Sequence, residues 1–384
     1  MVKNNSDAIG IYIHIPFCLH KCDYCDFYSL PLNEPDMLAT YTRSLIAELQ
    51  QRAEGIYPPV TTVYLGGGTP SLLSAKQVGK IIAAIYTNYQ TCGDIEISME
   101  ANPATVKLQD LRELRAAGIN RLSVGVQSFA DAELKLLGRV HGGRQAMETL
   151  DAVRRAGFDN YNLDLIYGIP EQTLDAWQKN LNLSLKFEPQ HISTYLLQLD
   201  ECTPMAGRVR EGLIKMLDDE LEADMYYTSL DHMQKHGYDH YEISNFARSG
   251  YQCRHNLLYW QGREYLGIGS GAVSYLNRQR TLNQPDLSRY MEDIIADRPP
   301  SRDILECMDL RQLVADAIIV GLRLTAGISR EDILHRFNCD ILVEYRDIIE
   351  KLTIQGLLEI KNDRMYLAKR AYFLSNQVLK QFVA

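Results

Sequence analysis

The sequence predicts an α/β fold: an open, partial (β/α)6 barrel followed by a small C-terminal helical, winged-helix-like domain. Three observations carry this expectation. Six short apolar, β-branched runs alternate with helical patterns, at steps of roughly 30–40 residues that mark βα units with parallel strands. A closed eightfold barrel needs about 250 residues, so six units over about 190 fit a partial barrel better. Past Arg298-Pro299-Pro300 the pattern changes to helices followed by strand, turn and strand.

Strands are expected at Ile9–Ile15, Thr61–Leu65, Asp94–Glu100, Arg121–Val126, Tyr161–Ile166 and His191–Leu197. Gly66-Gly67-Gly68 stops the second, Asn102-Pro103 the third and Gly168-Ile169-Pro170 the fifth. Asp36–Gln51 reads as a helix, with apolar positions at Leu38, Tyr41, Leu45 and Leu49. Further helices are expected at Ser74–Tyr89, Leu108–Ala117, Asp131–Leu137, Gly143–Ala156 and Leu174–Leu185. Gly118 and Gly157 stand where C-caps belong. Residues 211–236 read as one helix, Tyr238–Phe246 as extended, and Gly262–Gly271 as a glycine-rich stretch. From Asp286 the chain turns polar, a linker signal. Leu310–Leu324, Ser329–Arg336 and Ile341–Gln355 are expected as helices, and Gly356–Leu367 as a hairpin turning at Asn362-Asp363. This divides the chain into a barrel (1–200), an extension (201–300) and a C-terminal domain (301–384).

The 384 residues are 46% hydrophobic and 23% charged, an ordinary globular balance. Gly (25) and Pro (13) are not enriched, which excludes collagen-like and low-complexity chains. No apolar run approaches the ~20 residues that cross a bilayer, so an integral membrane protein is not expected. Met1–Gly10 is polar and lacks the core of a secretory leader, so a cytoplasmic protein is expected. The net charge of −9 disfavours nucleic acid. The tail carries Arg364, Lys369, Arg370 and Lys380 without a dense basic cluster, so DNA binding by a winged helix is a minor alternative.

Of eight cysteines, five are scattered, while Cys18, Cys22 and Cys25 crowd one loop after the first strand in a C-x3-C-x2-C spacing. Thiolates suit zinc or iron–sulfur. A structural zinc site usually joins two separated pairs, and no partner pair follows. Three thiolates on a four-iron cluster leave one iron open for an exchangeable ligand. On spacing alone, a zinc loop completed by His14 or His20, or three unrelated thiols, remain alternatives. Gly66-Gly67-Gly68-Thr69-Pro70 after the second strand lets the backbone approach a ligand and offers bare N–H groups.

The cysteine loop and the glycine run together resemble the radical S-adenosylmethionine (SAM) proteins. The resemblance implies that Cys18, Cys22 and Cys25 hold a [4Fe–4S] cluster whose fourth iron takes the amino and carboxylate groups of SAM. It further implies that an electron donor such as flavodoxin or ferredoxin reduces the cluster and that SAM then yields an adenosyl radical. Tyr12-x-His14-Ile15-Pro16-Phe17-Cys18, Glu100-x-Asn102-Pro103, Ser123-x-Gly125-Val126-Gln127-Ser128, Gly138-Arg139-x-His141 and Asp164-Leu165-Ile166-Tyr167-Gly168 resemble the coproporphyrinogen III dehydrogenase branch. By that likeness Tyr12, Gly67 and Glu100 match positions that contact SAM. Tyr24, Gly68, Thr69, Gln127, Arg139 and Asp164 match positions lining the same mouth, where the dehydrogenase holds a second SAM.

One departure points elsewhere. The dehydrogenase carries a fourth cysteine two residues past its third, where this chain has Phe27. Phe27 and the short N-terminal lead resemble the sister branch, the heme chaperones. So does His255-Asn256-Leu257-Leu258-Tyr259-Trp260. A heme site is expected there, with His255 as axial ligand, Tyr259 and Trp260 offering flat faces to the porphyrin, and Asn256 beside them. The alternative is a hydrogen-bonded structural His255 and a core Trp260. Cys253 is a weak rival ligand; His191, His232, His236, His240 and His335 read as structural or solvated. The resemblance implies a chaperone that binds heme and passes it to an apo-hemoprotein, membrane-associated acceptors included; no catalytic residue is singled out. An oxygen-independent coproporphyrinogen III dehydrogenase, which would oxidatively decarboxylate its substrate, is the alternative.

Overall fold

The fold is that of a computed structural model, described for residues 8–34, 36–55 and 57–383. The expectation about the polar start at Met1–Gly10 falls largely outside the described residues. The six expected parallel strands are β1 (Ile9–Ile15), β2 (Val60–Gly67), β3 (Thr91–Ala101), β4 (Arg121–Gln127), β5 (Tyr161–Tyr167) and β6 (His191–Leu196). β7 (Asp239–Glu242) and β8 (Asn245–Ala247) form a hairpin that pairs antiparallel with β6. On the other side β9 (Tyr265–Ile268) pairs parallel with β1, a seventh parallel strand inside the glycine-rich stretch. β10 (Val273–Leu276), β11 (Gln279–Asn283) and β12 (Arg302–Cys307) continue antiparallel. The resulting sheet of twelve strands runs β12-β11-β10-β9-β1-β2-β3-β4-β5-β6-β8-β7. The architecture is thus α/β with a mostly parallel central sheet.

β1 shows why the barrel has a polar interior. Ile9, Ile11, Ile13 and Ile15 are fully buried on its outer face. The period of two turns Gly10, Tyr12 and His14 the other way, toward the lumen. The helices α1 (Asp36–Arg52), α2 (Ala75–Asn88), α3 (Leu108–Ala116), α4 (Asp131–Leu136), α5 (Gly143–Arg155) and α6 (Leu174–Leu185) cover the outer face. On α1 the expected stripe Leu38, Tyr41, Leu45 and Leu49 is buried. Among them lies a buried carboxylate: Glu48 accepts from the Gly269 N–H (2.8 Å), the Asn283 amide (2.9 Å) and the Tyr290 hydroxyl (2.8 Å). It fastens the extension to the barrel.

Two expectations on secondary structure change, and two helices form where no element was expected. A separate helix not expected from the sequence, α7 (Pro204–Arg210), precedes the helix expected over 211–236, which is shorter, α8 (Asp219–Lys235). Gly212 adopts φ 71° after the first, and the Asp218 side chain caps the second by accepting from the Leu221 N–H at 2.8 Å. α9 (Arg254–Trp260) forms in the segment of the heme expectation. The polar stretch from Asp286, expected as a linker, contains α10 (Leu287–Ile295), capped by Asp286, followed by β12 on the sheet.

The tail has its own core of Leu313, Ile318, Ile333, Phe337, Ile349, Leu352, Leu358 and Phe382. Its helices α11 (Leu310–Gly321), α12 (Arg330–Phe337), α13 (Ile341–Glu344) and α14 (Arg346–Ile354) precede the hairpin of Leu358–Lys361 and Arg364–Leu367. This subdomain touches both arms of the sheet. The Thr325 N–H donates to the Tyr241 carbonyl at 3.1 Å on one arm, and on the other Arg280 Nη2 donates to both carboxylate oxygens of Asp316 at 2.9 Å.

Candidate functional site

The loop after β1 carries the three thiols, all free. The glycine run after β2 is laced to it: the Gly68 N–H donates to the Ile15 carbonyl (2.8 Å) and the Thr69 N–H to the Phe17 carbonyl (2.7 Å). A side chain at Gly68 would begin 3.0 Å from the Cys18 sulfur and 2.7 Å from the Phe17 oxygen, so only a bare backbone fits. Gly67 adopts φ 112°, and a side chain there would begin 2.6 Å from the His14 ring. The sulfurs have donors of their own. Thr69 Oγ1 donates to Cys18 at 3.4 Å, Arg139 Nη1 to Cys22 at 3.5 Å, and the Phe27 N–H to Cys25.

Arg139 links the thiols to the next strand, because its Nη2 donates to the Gly125 carbonyl at 2.8 Å. Burial opposes its charge, but Tyr24 and the Cys22 thiol outweigh that and hold the guanidinium protonated. Its Nε is buried without a partner. Gln127, in a left-handed conformation at φ 65°, brings its amide over Gly125.

Glu100 forms the opposite wall. It accepts from the Tyr64 hydroxyl at 3.0 Å and the Gly67 N–H at 3.2 Å. Burial, then the nearby Asp164, push its carboxyl up to about 7. Asp164 is raised as well by burial, while hydrogen bonds from Ser123 (2.9 Å) and Asn162 (2.7 Å) oppose the rise. Tyr12 bonds to His14 Nδ1 at 3.0 Å. His14 Nε2 donates to the Tyr28 carbonyl at 2.8 Å, and burial lowers the ring's pKa, so Nδ1 is left to accept the Tyr12 proton. Of the nine residues expected around SAM, Tyr12 and Asp164 stand midway along β1 and β5, and the others stand at the C-terminal ends of β2 to β4 or in loops after the strands.

The residues present fit an iron–sulfur cluster with an amino-acid ligand: three thiols in one loop, a donor on each sulfur and a cradle that only glycine fills. Among the described residues no three His, Cys, Asp or Glu side chains are drawn up as a closed metal group. An exposed Phe27 stands at the loop's far end.

The segment of the heme expectation lies elsewhere. α9 plugs the barrel floor, and Glu96 caps it by accepting from the N–H groups of Arg254 (3.3 Å) and His255 (3.2 Å). His255 is buried with both ring nitrogens engaged: Nδ1 meets Thr62 Oγ1 at 2.7 Å, and Nε2 meets the Tyr259 hydroxyl at 2.8 Å. Burial and then Arg121 push its pKa down to about 3. Arg323 lies 4.5 Å from the centre of the Trp260 ring, whose N–H is buried without a partner. Asn256 is half-buried. Cys253 is buried and donates to Glu96 at 3.8 Å. His191 is a structural floor residue, bonded to Asn162 (2.7 Å) and Tyr241 (2.8 Å).

Sequence reasoning missed Tyr64, Glu96 and Arg121, and weighed His14 only as a zinc ligand; these hold the site's residues or close its floor. All face the lumen, and the period of two on their strands was the signal that could have found them.

Fold and site define a radical SAM protein. The profile of the radical SAM superfamily matches residues 12–183, and that of the HemN C-terminal domain matches residues 308–374. The heme chaperone HemW of Bacillus subtilis is 34% identical over 379 residues, covering 97% of this chain and 98% of that protein. The heme chaperone HemW of Lactococcus lactis is 33% identical over 372 residues, covering 97% and 96%. Among solved structures, the coproporphyrinogen III oxidase HemN of Escherichia coli superposes with a TM-score of 0.84 at 22% identity, covering 98% of this chain and 90% of that one. That likeness shows the shared fold. The chain belongs to the HemW heme chaperone family of radical SAM proteins.

Proposed function

We propose that this chain is a cytoplasmic heme chaperone that binds heme and hands it to an apo-hemoprotein. The observation that carries the reading is its likeness, over nearly the whole length, to proteins named heme chaperone. Phe27, in the place of the dehydrogenase's fourth cysteine, agrees with it. No helix among the described residues is long and apolar enough to cross a membrane, so a membrane-bound acceptor would be met at a surface.

In this reading Cys18, Cys22 and Cys25 would hold the cluster, and Tyr12, Gly67 and Glu100 would meet SAM, with Tyr24, Gly68, Thr69, Gln127, Arg139 and Asp164 around them. When bound, the pair supplies one-electron chemistry, fed by a flavodoxin- or ferredoxin-type donor. Arg139 offsets the negative charge of the thiolates. Glu100, near neutrality at its raised pKa, takes up or releases a proton opposite a cationic amino group. Heme would use His255, with Asn256, Tyr259 and Trp260 around it. To hold heme iron, His255 Nε2 would have to give up the Tyr259 hydroxyl.

The test is anaerobic reconstitution, followed on one sample by heme titration, transfer to an apo-hemoprotein and incubation with coproporphyrinogen III, SAM and reductant. Heme binding and release without protoporphyrinogen IX is the expected result. Production of protoporphyrinogen IX would overturn the reading in favour of the dehydrogenase.

A further inference from the structure

Two histidines that neither the mouth nor the floor uses stand together at the end of α8. The buried stripe Met225, Tyr226, Ser229, Leu230 and Met233 seats this helix on α6, where the Trp177 N–H donates to Ser229 Oγ at 2.8 Å. His232 lies beside that stripe, half-buried, and His236 follows one turn later, exposed. A spacing of four residues puts both on one helical face. Their rings lie 4.6 Å apart between centres. Gly237, at φ 78°, takes the chain out of the helix, so no later turn of it covers His236.

The ring nitrogens are arranged for a metal ion. His236 Nδ1 lies 2.8 Å from the His232 carbonyl, which can only accept, so Nδ1 carries the proton and the lone pair stands on Nε2. Metal-ligating histidines are oriented in this way, with the other ring N–H given to a backbone carbonyl. His232 Nε2 is buried and has no hydrogen-bond partner. An ion shared by the two Nε2 atoms supplies that partner. Histidines four residues apart on one helix face form a recurrent zinc-binding pair. The carbonyl end of a helix also favours a cation, and Lys235, which opposes one, is exposed and screened by water.

We propose that His232 and His236 bind one divalent ion of the zinc class through their Nε2 atoms. Among the described residues no third His, Cys, Asp or Glu joins them, so water fills the remaining positions and the ion exchanges. The site is separate from the thiol loop, with nitrogen ligands on the outside of the barrel. The ion ties together the last two turns of α8, beside Tyr227 and Asp231. Through these the helix meets the tail, at the Arg370 carbonyl (2.8 Å) and at Lys369 (3.1 Å).

The test titrates zinc chloride into the reconstituted full-length chain with its exposed thiols removed (Cys202→Ser, Cys307→Ser). It is run near pH 7.5, about one unit above the ordinary imidazole pKa. Competition with a chromophoric zinc indicator should show one ion per chain at micromolar affinity. His232→Ala and His236→Ala should each weaken it at least tenfold, with melting temperature and iron content unchanged in the absence of zinc. His236→Gln, which keeps a polar side chain, should weaken it equally. Saturating zinc should also shield His236 from diethyl pyrocarbonate, which acylates a free imidazole nitrogen, as mapped by mass spectrometry. No zinc binding, equal binding by both alanine variants, or bound zinc that leaves His236 fully reactive would overturn the site; the last two results mean an adventitious ion only.

Discussion

The mouth and the floor of the barrel draw on the same residue types to opposite ends. On the floor, most polar groups satisfy one another, the Arg121 Nε and the Trp260 N–H apart: Glu96 takes two N–H groups of α9 and the Cys253 thiol, and Asn162, His191 and Tyr241 form a closed chain. In the mouth, valences stay open: three free thiols, an Arg139 Nε without a partner and a Glu100 poised near neutrality. A saturated buried network fixes geometry, whereas groups held in place yet left unsaturated can receive a ligand. The difference separates structural support from the binding surface, even though both line one lumen.

The largest expected effect breaks the mouth and spares the floor. Cys22→Ala should abolish cluster assembly, measured as iron and sulfide content after anaerobic reconstitution, with a melting temperature close to the parent's. A collapse of stability instead would mean that the thiol loop is structural. The next effect runs the other way. Glu96→Ala leaves the N-terminus of α9 uncapped and Arg121, whose charge Cys253 and Glu96 sustain against burial, without its carboxylate. The cost should be about 3–5 kcal/mol in denaturant unfolding. Cluster assembly by the surviving folded fraction should be unaffected.

His255 tests where the boundary between the two regions lies. His255→Ala leaves Thr62 and Tyr259 without their buried partner and opens a cavity, which should cost about 2–4 kcal/mol. If His255 also ligates heme, the variant should lose the parent's heme absorption spectrum. A destabilised protein with an unchanged heme spectrum and affinity would assign His255 to the floor alone.

The two regions were unequally legible in the sequence. The cysteine loop and the glycine run announce themselves by local spacing, and the second, third and fifth strands stop at glycine or proline. Tyr265–Ile268 was missed as a strand because its partner, β1, lies far away in sequence and its own glycines read as a loop. Glu48 and Glu96 look like ordinary surface charges until the fold buries them. Their partners, from Gly269 to Tyr290 and from Cys253 to His255, come from distant segments. The α10 helix was hidden because a short amphipathic turn between polar residues has the composition of a linker.

The smallest effect is a pH dependence, and it bears on the mouth's openness. Glu100 is raised from the ordinary 4.5 to about 7, chiefly by burial, so the folded state holds its proton more tightly than the unfolded chain does. Stability from this group is therefore fully present below about pH 4.5 and is lost as pH rises through about 7. Neutral buried His14 and His255 act in the other direction: their lowered pKa values withdraw stability as pH falls below about 6.5. The parent's own profile mixes these slopes, so the informative quantity is its difference from Glu100→Gln. That difference should grow in favour of the variant by about 2 kcal/mol between pH 4.5 and 7.5, a value kept below the full shift because the mouth admits solvent. The change should appear in urea unfolding midpoints taken across this range. A flat difference would assign the titration to Asp164, and Asp164→Asn would then show the slope instead.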